Sequence, residues 1–305
     1  MTASFVSWQR ESLQFAKSYP SMPLARRVAF VEPKYFQIVS ALNPHMLDES
    51  GQLNQIDSVR AYQQWQALTE VYRSLGLQID ILEAEPDCPD MVFCANQSLP
   101  YLDEAGQSSI LMSHMASDCR QREVQSIETQ LDSLGIKTTH LGIPRSQETI
   151  FEGTGDALWV PGRKLLLGAY GFRSSADIYN LVSEQLQVSV AIFELKNPRF
   201  YHLDTCLSIL DENTAIASPE GFTSEGWEQL QRIFVNLIPI DLDEADSPGF
   251  AGNAHCPDGK HVVIQEGNIK IETALKAAGF LPVPVNTREF IKSGGSVFCM
   301  KLMLF

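Results

Sequence analysis

Short β-branched or aromatic runs alternate with stretches of helical spacing along the chain. RVAFVE (27–32) reads as a strand, and a helix is expected from Ile56 to Leu75, where Val59, Tyr62, Leu68, Val71 and Tyr72 recur near helical spacing before Gly76. LQIDIL (77–82) and SSILMS (108–113) are expected strands, followed by a helix over 121–134 that stops at Gly135 and a strand IKTTHL (136–141). A hairpin over 156–170 turns at Pro161-Gly162. A helix near 176–186 and a strand at 188–195 follow, then strands around 203–210 and 213–217, a helix at 223–234 and a strand at 236–240. HVVI (261–264), a helix at 269–278, FLPVPV (280–285) and a closing strand SVFCMKLML (296–304) complete the pattern. The unit is two strands, a helix and a strand, recurring about five times at a period of roughly 60 residues, without visible identity between units. Such units stack into a parallel α/β sheet or close radially into a propeller of mixed blades, and periodicity alone leaves both open.

Composition narrows the function more than the fold. The 305 residues are 44% apolar and 20% charged, enough for a sizeable core, and the net charge of −14 disfavours nucleic acid or an anionic membrane as partner. No apolar run approaches the ~18 residues of a membrane span. The N-terminus lacks the basic and apolar regions of a secretory signal. Six cysteines (Cys88, Cys94, Cys119, Cys206, Cys256 and Cys299) show neither a CxxC pair nor zinc spacing, which reads as reduced thiols in the cytoplasm.

The candidate chemistry is scattered. Cys299 follows Gly294-Gly295 in the expected closing strand, where a Gly-Gly pair permits close approach of a ligand. In FYHLDTC (200–206), His202 and Asp204 are two apart, so on a strand they would share a face. FEGTGDAL (151–158) sets Glu152 and Asp156 around two glycines, with no phosphate-loop continuation. In DCPDMVFCANQS (87–98), Asp90 and Asn96 are expected to flank a short strand and share its face. Arg120 and Arg173 follow expected strand ends and read as surface residues unless a ligand carboxylate takes a bidentate fork. A thiol, a base, carboxylates and cations together suit a cationic, planar, electrophilic carbon.

PDMVFCAN, FEGTGDAL, GAYGFRS, FYHLDTC, GNAHC and EFIKSGGSVFCMKLML occur in the order of the guanidino-group-modifying superfamily, which the chain resembles from about residue 27 onward. That superfamily comprises arginine deiminases, dimethylarginine dimethylaminohydrolases and amidinotransferases. The resemblance implies a five-bladed α/β propeller over 27–305, preceded by an N-terminal extension over 1–26. It also implies Cys299 as nucleophile, His202 as general acid and base, and Glu152 as the acid that holds the guanidinium and steers His202. Asp204 would grip a guanidino nitrogen, Arg120 and Arg173 the α-carboxylate, and Asp90 would be a substrate-loop acid. A small cationic guanidino substrate follows, with no metal or cofactor, because that substrate carries its own charge. Oligomeric state stays open, a homo-oligomer included. Deiminases and dimethylaminohydrolases carry Asp where this chain has Asn96. That Asn, with Asn43, resembles the arginine dihydrolase branch, which converts arginine to ornithine, carbon dioxide and ammonia. Citrulline-forming hydrolysis of arginine or of dimethylarginine, amidino transfer, and a non-catalytic arginine-binding module are the alternatives.

Overall fold

The computed structural model describes residues 18–305, so most of the expected N-terminal extension lies outside the described residues. From Ser18 onward the remainder packs on the body: Met22 is buried, its N–H donates to Gly162 O at 2.9 Å, and Lys164 N–H donates to Pro20 O at 2.8 Å.

One pattern repeats. Strand β1 (Arg27–Val31) is joined through helix α1 (Ser58–Ser74) to a parallel β2 (Gln78–Leu82). β3 (Ser98–Leu102) runs antiparallel to β4 (Ser108–Met112), and α2 (Asp118–Ser133) returns the chain to β5 (Lys137–Thr139), parallel to β4. A four-residue helix, α3 (Gly153–Asp156), leads into β6 (Ala157–Trp159), β7 (Leu165–Tyr170), α4 (Ile178–Leu186) and β8 (Ser189–Glu194), with the same antiparallel-then-parallel order. It recurs in β9 (Leu207–Ile209), β10 (Thr214–Ala217), α5 (Ser224–Ile233) and β11 (Asn236–Pro239). After the short α6 (Leu242–Ala245), β12 (His261–Gln265), α7 (Ile269–Ala277) and β13 (Leu281–Val285) form a parallel pair, to which His255 adds an antiparallel bridge at Val263. Past α8 (Arg288–Ile291), β14 (Leu302–Leu304) pairs antiparallel with β1 and completes the first sheet from the far end of the chain.

Local chemistry sets these boundaries. Asp57 caps α1 by accepting from the N–H groups of Val59 and Arg60, and Gly76, at φ 80°, takes the left-handed turn that ends it. In each parallel pair the inner strand is buried on both faces, as in LLLGAY of β7, whereas outer strands such as β2 and β13 stay partly exposed. The cores link the sheets in series. One cluster joins β1 and β14 to β4, a second joins β3 and β4 to β6–β8, a third joins β7 and β8 to β9–β12, and a fourth returns from Val263 and Val285 to β1.

Three expected strand segments are not strands. Residues 87–96 form successive turns (Met91 N–H to Cys88 O, Phe93 N–H to Asp90 O), so Asp90 and Asn96 do not share a strand face. His202 precedes a 3-10 turn at Leu203–Thr205, and Cys299 lies in a turn stretch (Met300 N–H to Ser296 O) with the strand beginning only at Leu302. All three runs are buried, and a short apolar run carries the same hydrophobic signal whether it is strand or interior turn. Conversely, β3 forms with Pro100 inside it, a strand absent from the expected pattern. As the edge of its sheet, it tolerates the missing N–H.

Gly168 in β7 packs against the fully buried ring of Tyr179, where an added Cβ would lie 2.4 Å from Cε1. Gly168→Ala is expected to cost about 1–3 kcal/mol through overpacking. Urea unfolding at neutral pH measures it, and an unchanged midpoint would contradict the packing described.

Candidate functional site

Glu152 precedes α3 with no exposure to solvent. The following Gly153 has φ 50°, and a Cβ there would lie 2.3 Å from Ser98 O, so only glycine lets the chain turn this closely. Glu152 Oε1 accepts the Ala116 N–H at 2.8 Å. Oε2 lies 2.6 Å from His202 Nε2 and 3.4 Å from Arg173 Nη1. Burial pushes this carboxyl up, but Arg173 and the His202 hydrogen bond outweigh it and hold the group well below the usual carboxylate range. An ionised carboxylate only accepts, so the network assigns the proton to His202 Nε2 and leaves Nδ1 as an acceptor.

Nδ1 faces Asn96 Nδ2 at 3.4 Å. The amide is held by Arg120, whose Nη1 donates to Asn96 Oδ1 at 2.9 Å. Arginine has no acceptor, so the atom facing it is oxygen, and Asn96 turns its N–H groups toward His202. Arg120 also donates to the carbonyls of Asp90 (3.3 Å) and Phe93 (3.1 Å) and pairs with buried Glu123 at 3.0 Å. Its fork is thus committed within the protein, unlike the free carboxylate binder expected. Arg173 keeps more freedom: it donates to Leu42 O at 2.8 Å and lies 4.9 Å from the Tyr201 ring centroid. Asn43 bridges its own turn (His45 N–H, 3.0 Å) to Ser293 O (2.9 Å). Ser293 Oγ is 3.4 Å from Asp90 Oδ1, a carboxyl that burial pushes up.

The Cys299 sulfur lies 3.1 Å from Asp204 Oδ2 and 3.1 Å from Asn253 Nδ2. Asn253 escaped the sequence reading. Its Oδ1 accepts the N–H groups of Ser296 (3.1 Å), Phe298 (3.0 Å) and Cys299 (3.3 Å), while Nδ2 also donates to Asp204 O at 2.8 Å. One amide therefore shapes the cysteine turn and ties it to the Asp204 turn. Its position within GNAHC was the available signal: Gly252 lets the backbone approach Thr205 O so closely that a Cβ would meet it at 2.6 Å. Burial pushes the Cys299 thiol well up, and adjacent Asp204 adds to this. Burial likewise raises Asp204 to about 7, and its Oδ1 has no hydrogen-bond partner.

Asn43, Asp90, Asn96, Arg120, Arg173 and Cys299 line one cavity of about 300 Å³, open mouth included, with Tyr201, Phe93 and Ser293. Glu152, His202 and Asp204 are not among its lining residues. Each is joined to one that is: Glu152 to Arg173, His202 to Asn96, and Asp204 to Cys299. All nine residues singled out from the sequence are thus connected. Thiol, imidazole and carboxylates around a small polar cavity can support covalent attack with proton transfer.

The family described as N,N dimethylarginine dimethylhydrolase, eukaryotic, matches residues 32–305. The chain belongs to this family. The N(G),N(G)-dimethylarginine dimethylaminohydrolase of Mycobacterium tuberculosis is 34% identical over 280 residues, covering 92% of this chain and 86% of that protein. The bifunctional arginine dihydrolase/ornithine cyclodeaminase AgrE of Nostoc is 27% identical over 92% of this chain, which spans only 38% of AgrE. Among solved structures, the N-terminal domain of ArgZ, a cyanobacterial arginine dihydrolase, superimposes with a TM-score of 0.82 at 26% identity, covering 91% of this chain and 97% of that domain. The mixed α/β fold is that of the guanidino-group-modifying superfamily, near its arginine dihydrolase branch, and the chain is a hydrolase of C–N bonds.

This family member keeps protons on buried carboxyls that an unfolded chain releases near pH 4. Burial raises Asp204 and Glu123 to about 7 and Asp156 to about 6. Between pH 4 and 6 each of these groups keeps in the folded state a proton that the unfolded chain loses, so its contribution to stability falls as pH rises, by roughly 1.4 kcal/mol per unit. His45, His114 and His255, which burial lowers, contribute in the opposite direction. Asp204→Asn is expected to reduce that slope by one proton, measured by urea unfolding at pH 4.5 and 6. An identical slope would contradict the protonation given for Asp204.

Proposed function

We propose that the chain hydrolyses arginine in two rounds, as an arginine dihydrolase, giving ornithine, carbon dioxide and two molecules of ammonia. One observation carries this reading: Arg120 fixes Asn96 so that the amide turns N–H donors, not an acceptor, toward His202. A guanidinium offers only N–H groups and gains little from a donor. The carbonyl formed after loss of the first ammonia gains a hydrogen bond from it, whereas an ionised Asp would repel that oxygen. Asn96 therefore favours holding the intermediate for a second cleavage.

In this reading the guanidinium enters beside Asp204, whose unpartnered Oδ1 accepts a guanidino N–H, while Arg173 meets the α-carboxylate. The incoming positive charge replaces the protons that the buried Asp204 and Cys299 otherwise retain, which counters the burial that raises the thiol. The thiol proton passes to His202 Nδ1 as sulfur bonds to the guanidino carbon. His202 then gives that proton to the departing nitrogen, the C–N bond breaks, and ammonia leaves a thiouronium on Cys299. Water, deprotonated by His202, adds to that carbon, and the C–S bond breaks to free the sulfur and leave the ureido carbonyl. In the second round sulfur adds to that carbonyl, the second ammonia leaves an S-carbamoyl group on Cys299, and a second water cleaves its C–S bond to a carbamate, which loses carbon dioxide to give ornithine. Nδ1 is the proton-carrying atom, because Nε2 is held on Glu152.

The cyclic succession of cores supports closure of the five sheets into a propeller, with 27–305 as one catalytic unit. The family supports a small guanidino ligand; no helix among the described residues is long and apolar enough to cross a membrane. The family match and the Mycobacterium relative favour a second reading, removal of dimethylamine from dimethylarginine to give citrulline.

Ammonia and amino-acid products over a panel of arginine, citrulline and methylated arginines separate these readings. Two ammonia and one ornithine per arginine are expected. Citrulline as the sole stable product from arginine rejects the dihydrolase, and dimethylamine release from dimethylarginine alone selects the second reading. Cys299→Ser is expected to lose turnover by at least about a thousandfold while arginine still binds, and equal turnover would reject covalent catalysis. Asn253→Asp keeps the acceptor for the cysteine turn but replaces the donor on sulfur with a carboxylate. The pH midpoint of iodoacetamide alkylation at Cys299 is expected to rise by at least about one unit, with little change in KM. An unshifted midpoint would deny Asn253 any influence on the thiol.

A further inference from the structure

A second cavity, about 770 Å³ with its open mouth, lies against the other side of the cysteine turn. Its walls are apolar, built by Leu158, Trp159, Ile209, Phe298 and Met303, and Lys301 is set among them. Lys301 is 2% exposed. Its Nζ rests 3.2 Å from the Phe298 ring centroid, and no carboxylate among the described residues pairs with it. A buried ammonium without a counter-ion is costly, and its retention on an otherwise greasy wall marks a place for an anion.

We propose that this cavity binds a small apolar monocarboxylate, its carboxylate on Lys301 and its hydrocarbon body against the apolar walls.

The chemistry selects that class. A free amino acid would bring its own ammonium beside Lys301. A dicarboxylate or phosphate would bury a second negative charge with nothing to meet it. A neutral apolar molecule would fill the walls but leave the ammonium bare. The guanidino cavity has the opposite preference, since its carboxylates and sulfur favour a cation, so the two do not compete for one ligand. Burial pushes Lys301 down to about 7 even though Asp204, Cys94 and Cys299 pull it upward, and burial, aided by the Lys301 charge, lowers neighbouring His255. These influences act through space and leave the ammonium without a direct anionic contact.

The two cavities share structure. Lys301 follows Cys299 by two residues, and Thr154, in the helix that Glu152 begins, lines the second cavity. A ligand on Lys301 thus touches the turn that carries the sulfur.

Calorimetry with isocaproate, and with isocaproamide as its neutral twin, tests the proposal on the full chain slightly below pH 7. Saturable isocaproate binding is expected, with the amide at least about tenfold weaker. Lys301→Met, which replaces the ammonium with a neutral side chain of similar length, should bring the acid down to the affinity of the amide. Ala25→Trp, at a half-buried lining residue, should block both probes while guanidino turnover persists, showing an intact fold. The proposal fails if wild type shows no saturable binding, or if acid and amide bind equally. It also fails if Lys301→Met leaves isocaproate affinity unchanged, or if arginine displaces the acid, which would place it in the guanidino cavity.

Discussion

A carboxylate held ionised without access to water organises this site. Glu152 stays charged in the interior because Arg173 and His202 meet one oxygen and a backbone N–H meets the other. Removing either partner, the Arg173 cation or the His202 donor, leaves a buried charge to be neutralised, which in practice means protonation. Once Glu152 is an obligate acceptor, the tautomer of His202 follows, and so does the direction in which its free nitrogen faces. The position of that nitrogen matters only because Asn96 is itself fixed, through Arg120, whose Nε donates in turn to Glu123. The proton chemistry of the site is thus set by a chain of buried hydrogen bonds running from α2 to the 3-10 turn at Leu203–Thr205.

The cysteine side is organised differently. Among the described residues no cation stands within hydrogen-bonding distance of the sulfur; its neighbours are a carboxyl and an amide. Such surroundings keep a thiol dormant until a positive charge arrives, and the proposed substrate carries one. This separates reactivity from mere exposure: Cys119 is open to solvent, whereas Cys299 has a defined place beside the cavity.

Much of this was legible in the sequence, and the rest was not for identifiable reasons. Helices ended by Gly76 and Gly135 could be placed because capping is local. Cys299, His202 and Glu152 could be named because their motifs recur in a known order. The turns carrying Cys299 and His202 read as strands from sequence because burial leaves the same apolar signature on an interior turn as on a sheet. Asn253 and the commitment of Arg120 were invisible for a deeper reason. Both act through partners 24 to 49 residues away, and nothing in GNAHC or DCRQRE says which backbone groups they will meet. The donor direction of Asn96, which bears most on the reaction, depends on one such distant contact.

The pairing of β14 with β1 has a kinetic corollary. Leu302 lies beside Ala29, so the first sheet cannot be completed until almost the whole described chain has left the ribosome. Cys299 lies three residues before that strand. During synthesis, β1 therefore waits with one edge open, exposed to mispairing and to chaperones, and contacts so remote in sequence form slowly. In return, a partly made chain holds no assembled thiol site: reactivity arrives together with closure.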